Sequence, residues 1–102
     1  MWIGLSSKSF AQKMDYCNLY GTVYVTTNPK VADFVIFVEE SEAFADLKVF
    51  KEENRLFADD KGLWYFTETM SFAHFIVFVT DNIDLADFTI YYTETPAFAG
   101  CE

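Results

Sequence analysis

The sequence predicts an α/β fold dominated by strands: one domain of seven tandem repeats, each a short strand followed by a short helix. Two observations carry this prediction. Each repeat opens with β-branched and aromatic residues, which favour strands, and continues with a residue that favours helix starts. An alanine after a bulky apolar residue also recurs, and four of the six intervals between these alanines are 13 residues. The alanines are Ala11, Ala32, Ala45, Ala58, Ala73, Ala86 and Ala99.

The repeats fill the chain as a single domain spanning residues 1–102, which is an ordinary size for one domain. An insertion, residues 13–20, follows the first unit, which is truncated, and Asp60-Lys61 precedes the fifth. The units are residues 1–12, 21–33, 34–46, 47–59, 62–74, 75–87 and 88–100.

The first five positions of each unit are typical of a strand, as in FVIFV at 34–38. The third position is always bulky and the fourth is aromatic in six units, so both faces of most strands are apolar. Such strands favour a parallel sheet that is covered on both faces. The pairing order stays open. Either an eight-residue connection just returns to the start of a neighbouring parallel strand, or successive strands enter opposite layers and each unit pairs with the next but one.

The eighth position of every unit holds a residue that can cap a helical turn of about five residues. These residues are Ser7, Asn28, Ser41, Asn54, Thr69, Asn82 and Thr95. Position eleven is always bulky and is expected to dock the turn onto the sheet, because so short a helix cannot stand alone. These residues are Phe10, Val31, Phe44, Phe57, Phe72, Leu85 and Phe98. The alanine that follows, as in Ala45, Ala58 and Ala86, is expected to be buried beneath the turn.

The units FVIFVEESEAFAD, LKVFKEENRLFAD and FIVFVTDNIDLAD resemble a bacterial family of small repeat proteins of unknown function, known for the septoil, or 7(1), knot. The resemblance covers roughly residues 1–100 and implies a knotted backbone. The chain departs from the pattern at the insertion 13–20, and Gln12, His74 and Gly100 replace the aspartate that ends the other units. The family carries no catalytic residues over to this chain.

Charge and composition exclude some classes of function. The chain has a net charge of −9 and lacks the basic stripe that nucleic-acid binding needs. The same negative charge disfavours binding to anionic membranes. No apolar run approaches the roughly 18 residues of a membrane-spanning helix, and the start is too short in apolar length for a signal peptide. We therefore expect a cytoplasmic, non-catalytic scaffold without a cofactor, which acts through contacts with a protein partner.

The alternative function is a module that responds to Ca²⁺. Four aspartates share the last position of their units and could form a ladder of oxygen ligands if the units stack. They are Asp33, Asp46, Asp59 and Asp87. The competing and favoured interpretation is that each carboxylate accepts a backbone N–H at the turn into the next strand.

The remaining candidates favour structural roles. His74, the only histidine, could act as the base of a small hydrolase, but no nucleophile stands at a recognisable spacing. Cys17 and Cys101 are expected to be free thiols in a reducing compartment. A set of glutamates before the caps suits the positive end of a helix dipole better than acid–base chemistry. These glutamates are Glu39, Glu40, Glu52, Glu53, Glu68 and Glu94.

Overall fold

The computed structural model describes residues 16–101, so the first predicted unit, with its cap Ser7 and with Phe10, lies outside the described residues. Within that range the strands are Gly21–Val25 (β1), Phe34–Val38 (β2), Leu47–Lys51 (β3), Leu63–Phe66 (β4), Phe75–Val79 (β5) and Phe88–Tyr92 (β6). Each strand is followed by a 3-10 turn. The turns are Pro29–Val31, Glu42–Phe44, Arg55–Phe57, Met70–Phe72, Ile83–Leu85 and Pro96–Phe98.

The six strands form a closed barrel in the order β1-β4-β3-β6-β2-β5, and every pair is parallel. Each of the first three strands therefore lies between two of the last three. Neither predicted pairing order holds for the six described strands, because consecutive strands are neighbours only at β3 and β4 and no described unit pairs with the next but one. The two halves of the chain are interleaved around one barrel.

Short connections suffice because the chain does not run back along the full length of the strand that it has just left. Val25, at the end of β1, and Phe34, at the start of β2, both lie level with Val77, on opposite edges of β5. The connection therefore only has to cross one strand, and its turn Pro29–Val31 contacts β5. The predicted return path of a whole strand length is wrong for this reason.

Three other connections cross a strand in the same way. Between β5 and β6, the chain leaves Val79 and resumes at Phe88, and both pair with Ile36 of β2. The connection from β2 to β3 crosses β6 at Ile90, and that from β4 to β5 crosses β1 at Val23. Strands of one half are thus crossed by connections of the other half, and the halves wind about each other.

The core inside the barrel consists mainly of side chains from the first and third positions of the repeat units. The third-position side chains are completely buried: Val23, Ile36, Val49, Trp64, Val77 and Ile90. Tyr16, from the segment before β1, closes part of the core by stacking on Phe88 with 4.3 Å between ring centroids. The fourth-position aromatic residues on the outer face are only half-buried, so the expected cover on both faces is incomplete.

The turns are shorter than predicted, at three residues each. Asn28, Asn54 and Asn82 cap them, each accepting the backbone N–H two residues later at 2.9–3.0 Å. Ser41, Thr69 and Thr95 make no side-chain cap bond.

The bulky residue at position eleven does not dock onto the sheet, and that prediction is wrong. Phe44 is 72% exposed and Phe72 is 71% exposed, and the other four described residues of this set are also exposed. The turns lie on the outer surface of the barrel, where none of the elements between residues 16 and 101 forms a second layer over them. For the same reason only Ala58 is buried beneath its turn, whereas Ala45 and Ala86 are half-buried.

Cys17 and Cys101 form a disulfide, so the prediction of free thiols is wrong. The winding of the chain brings together two residues that are 84 positions apart, with 5.3 Å between their Cα atoms. Gly100 exchanges two backbone hydrogen bonds with Lys48, at 2.8 and 3.1 Å, and thereby fixes the chain next to Cys101 against β3. The disulfide closes a covalent loop that contains all six described strands.

Candidate functional site

Three of the four repeat-end aspartates bind the amide of a strand residue in the other half of the chain. Asp33 accepts from Ile76 at 2.8 Å, Asp46 from Thr89 at 3.0 Å, and the distance in the third pair is 2.7 Å. That third pair joins Asp87 with Val35. In each pair the aspartate N–H also donates to the carbonyl of the same strand residue. The carboxylates thus accept backbone N–H groups, as the favoured interpretation expects, but the donors lie on the strand that the chain has just crossed rather than in the local turn.

Asp59 has no bond of this kind within residues 16–101. The turn before it ends differently, because Ala58 has ψ of 64°, whereas ψ is at least 142° at the equivalent alanines. The structure therefore does not bring the four aspartates together. Among the described residues, no group of three or more histidine, cysteine, aspartate or glutamate side chains is placed to hold a metal ion.

His74 takes the place of the repeat-end aspartate. The ring Nδ1 of His74 accepts the backbone N–H of Thr22 at 3.0 Å. The backbone N–H of His74 donates to the Thr22 carbonyl at 2.7 Å. Gly21 makes room for this ring: its φ is +114°, and a Cβ there would collide with Nδ1. Because Nδ1 accepts, the neutral imidazole carries its proton on Nε2, which is a donor.

His74 and Arg55 line one cavity of about 580 Å³. They are the only histidine and the only arginine in the sequence. Nothing in the sequence singles out Arg55, because its spacing from His74 matches no motif. The other lining residues are Thr22, Tyr65, Thr67, Thr69 and Phe72.

A second feature of the surface is the exposed apolar set on the turns. Besides the position-eleven residues, Leu56 is 69% exposed and Ile83 is 48% exposed. Two of the turns, Glu42–Phe44 and Pro96–Phe98, border a shallow depression of about 360 Å³ through Glu42 and Phe98. Acidic side chains lie among these apolar residues, and Glu42 contacts Lys48 at 3.9 Å.

The glutamates before the caps do not pair to form an acid–base site. Glu39 and Glu52 are half-buried, and their backbone N–H groups donate to Ile90 and Trp64 at 2.7 and 2.8 Å. The remaining four, Glu40, Glu53, Glu68 and Glu94, are exposed.

Two tyrosines have raised pKa values. Burial raises the pKa of Tyr92, whose ring lies 4.1 Å from the Lys51 ammonium. Burial and then the charge of Asp46 raise the pKa of Tyr16. Neither tyrosine lines the cavity of His74 and Arg55.

Comparison with known proteins gives one match. A family model described as the 7(1) septoil knot domain matches residues 16–102, which is most of the chain. No curated protein and no solved structure matches. In the part of the chain that the structure describes, none of the helical segments is long and apolar enough to cross a membrane.

Proposed function

The chain belongs to the septoil knot domain family, and from this premise we propose that its backbone forms a 7(1) knot built from seven strand–turn units. Six units are present among the described residues, and the predicted seventh, residues 1–12, lies outside them. The interleaved barrel supports this proposal, since each of its first three strands has neighbours only from the last three. Four connections that cross strands of the opposite half are the kind of winding from which such a knot is made.

We propose that this knotted domain is a non-catalytic scaffold that binds a protein partner through the apolar side chains of its turns. The observation that carries the proposal is the exposure of position eleven. A bulky apolar residue occurs there in every described unit, and each is 44–72% exposed. The barrel does not need these side chains for its own core, which consists mainly of side chains from the first and third positions of the units. Contiguous exposed apolar patches are typical of surfaces that bind other proteins, and the turns that carry Phe44 and Phe98 border one depression.

The chemistry of the surface favours a basic, amphipathic partner. The chain carries a net charge of −9, and acidic residues such as Glu42 and Asp84 lie within the turns beside the exposed apolar residues. A partner segment with apolar side chains and lysine or arginine would match both properties. Charge complementarity of this kind speeds association and selects partners.

Photo-crosslinking in a lysate, with a crosslinker at Ala97 beside Phe98, tests this proposal. We expect a crosslinked protein with the native chain and its loss in the double variant Phe44→Ser, Phe98→Ser. The matched control is Val25→Ser, Val79→Ser, which removes two valines that are 43% and 40% exposed on strands. Capture by the control but not by the phenylalanine variant supports the proposal. Equal capture by both would contradict it.

The disulfide adds a proposal about location. Structural disulfides persist in oxidising compartments and are rare in the cytosol, so Cys17–Cys101 favours an oxidising compartment over the expected cytoplasm. Mass spectrometry of the native protein, alkylated before and after reduction, tests this. We expect two blocked thiols before reduction; full alkylation without reductant would restore the cytoplasmic expectation.

A further inference from the structure

We propose that the cavity shared by His74 and Arg55 binds a small organic ligand that carries one oxyanion, a carboxylate or a phosphate, on an aromatic or apolar body. Phe72 belongs both to this cavity and to the exposed apolar residues of the turns, so the two proposals are tested at different residues: Arg55 and His74 here, Phe44 and Phe98 there. The cavity volume of about 580 Å³ lies within the range of roughly 300–1,000 Å³ typical of small-molecule sites.

The cavity is rich in hydrogen-bond donors. The Arg55 guanidinium offers five N–H groups and makes no ion pair with an acidic residue within residues 16–101. His74 adds Nε2–H, since its Nδ1 is occupied by the Thr22 amide. Thr67 Oγ1 accepts the Thr69 N–H at 3.2 Å, which leaves its hydroxyl proton available as a donor.

Acidic residues are absent from the described lining of the cavity. The sequence has 16 aspartate and glutamate residues against seven lysine and arginine residues, yet no acidic residue within residues 16–101 lines this cavity. At the neighbouring repeat ends the position of His74 is held by a carboxylate, which would repel an anion. An anion therefore meets complementary groups here, and charge-assisted bonds from arginine are among the stronger hydrogen bonds.

Two aromatic rings indicate the body of the ligand. Phe72 is 71% exposed and Tyr65 is half-buried, and both line the cavity. Their faces suit an aromatic or other flat apolar group, which would cover the exposed part of Phe72. An inorganic anion alone would use the donors but leave these rings in water.

Two-dimensional ¹H–¹⁵N NMR of the full oxidised chain at neutral pH tests the proposal, with phenyl phosphate, benzoate and inorganic phosphate as probes. The Thr22 amide is the reporter because it donates to His74. We expect saturable shifts of Thr22 with phenyl phosphate or benzoate, and the tighter of the two identifies the anion class. Inorganic phosphate should bind more weakly than phenyl phosphate. Equal affinity for those two, or no saturable shift with any probe up to about 10 mM, would overturn the proposal.

Variants separate binding from folding. Arg55→Gln should weaken binding by about tenfold or more, as expected for a lost charge-assisted bond. The matched control Lys51→Gln removes a positive charge that lies over Tyr92, outside the cavity, and should keep the affinity. His74→Asp restores the usual repeat-end residue, so the domain should fold while binding is lost. Retained binding in Arg55→Gln or in folded His74→Asp, or equal loss in Lys51→Gln, would overturn the proposal.

Discussion

Asp87 and Val35, which are 52 residues apart, exchange two hydrogen bonds of 2.7 Å each. The Val35 N–H donates to the Asp87 carboxylate, and the Asp87 N–H donates to the Val35 carbonyl. Asp33 with Ile76 and Asp46 with Thr89 repeat the arrangement. Each of these pairs joins the first half of the chain to the second, so the last residue of a unit ties the chain to the strand that it has just crossed.

Removing one of these ties should lower stability. Asp87→Ala leaves the Val35 amide without its side-chain acceptor and should lower the free energy of unfolding by about 1–2 kcal/mol. Asp59→Ala is the matched control and should cost less than about 0.5 kcal/mol, because Asp59 makes no such bond within residues 16–101. Urea denaturation of both variants measures the difference. Equal losses would show that the paired bonds contribute nothing specific.

Gly21→Ala should destabilise the protein through two separable effects. Its φ of +114° is unfavourable for any residue with a Cβ, at a cost of about 1–2 kcal/mol, and the Cβ would also collide with His74. His74→Ala in the same chain removes the collision but not the backbone strain. We therefore expect the double variant to be more stable than the sum of the two single losses implies. Strict additivity in thermal unfolding would contradict the close approach of Gly21 and His74.

The turns differ in whether the residue at the cap position makes a side-chain hydrogen bond, although the sequence predicts a cap in every unit. Asn82→Ala should cost about 1 kcal/mol, because the side chain accepts the Asp84 N–H at 3.0 Å. Thr95→Ala should cost clearly less, because the Thr95 side chain makes no cap bond. Guanidinium denaturation of the two variants decides this; a larger loss at Thr95 would contradict the turn geometry.

Calcium should not stabilise this protein. Ca²⁺ takes six to eight oxygen ligands, whereas Asp33, Asp46 and Asp87 each use a carboxylate oxygen on a different backbone amide. Thermal melts in EDTA and in millimolar CaCl₂, at matched ionic strength and with MgCl₂ as control, should coincide. A rise of several degrees that is specific to calcium and lost in Asp46→Asn, Asp59→Asn would favour the metal-responsive alternative.

The local features of the fold could be predicted from the sequence. The strand at the start of each described unit and the cap at Asn28, Asn54 and Asn82 depend on a few neighbouring residues, and the structure has them. The predicted docking of the position-eleven residues is wrong because their burial depends on whether a second layer covers the outside of the barrel. Phe44 has the pattern of a core residue, yet the turn that carries it lies outside the barrel.

The long-range features could not be predicted because the repeat is nearly uniform. Units with the same apolar pattern can all pair with one another, so nothing local selects β5 and β6 as the neighbours of β2. The proximity of Cys17 and Cys101 follows from the same winding, across 84 positions of sequence. The cavity was missed for this reason as well, since it brings together Arg55 and His74 from different units.

Single-molecule stretching tests the proposed knot most directly. The chain is held by tags at its two ends, and Cys17→Ser, Cys101→Ser removes the disulfide so that it cannot shorten the chain. A fully extended, unknotted chain of 102 residues reaches about 340–370 Å. A tightened knot retains residues, so we predict that the unfolded chain falls short of this length by tens of ångströms. The control, held at residues 61 and 102, should reach its full length because the other half of the chain can be drawn out. Release of the full length from end to end would contradict the knot.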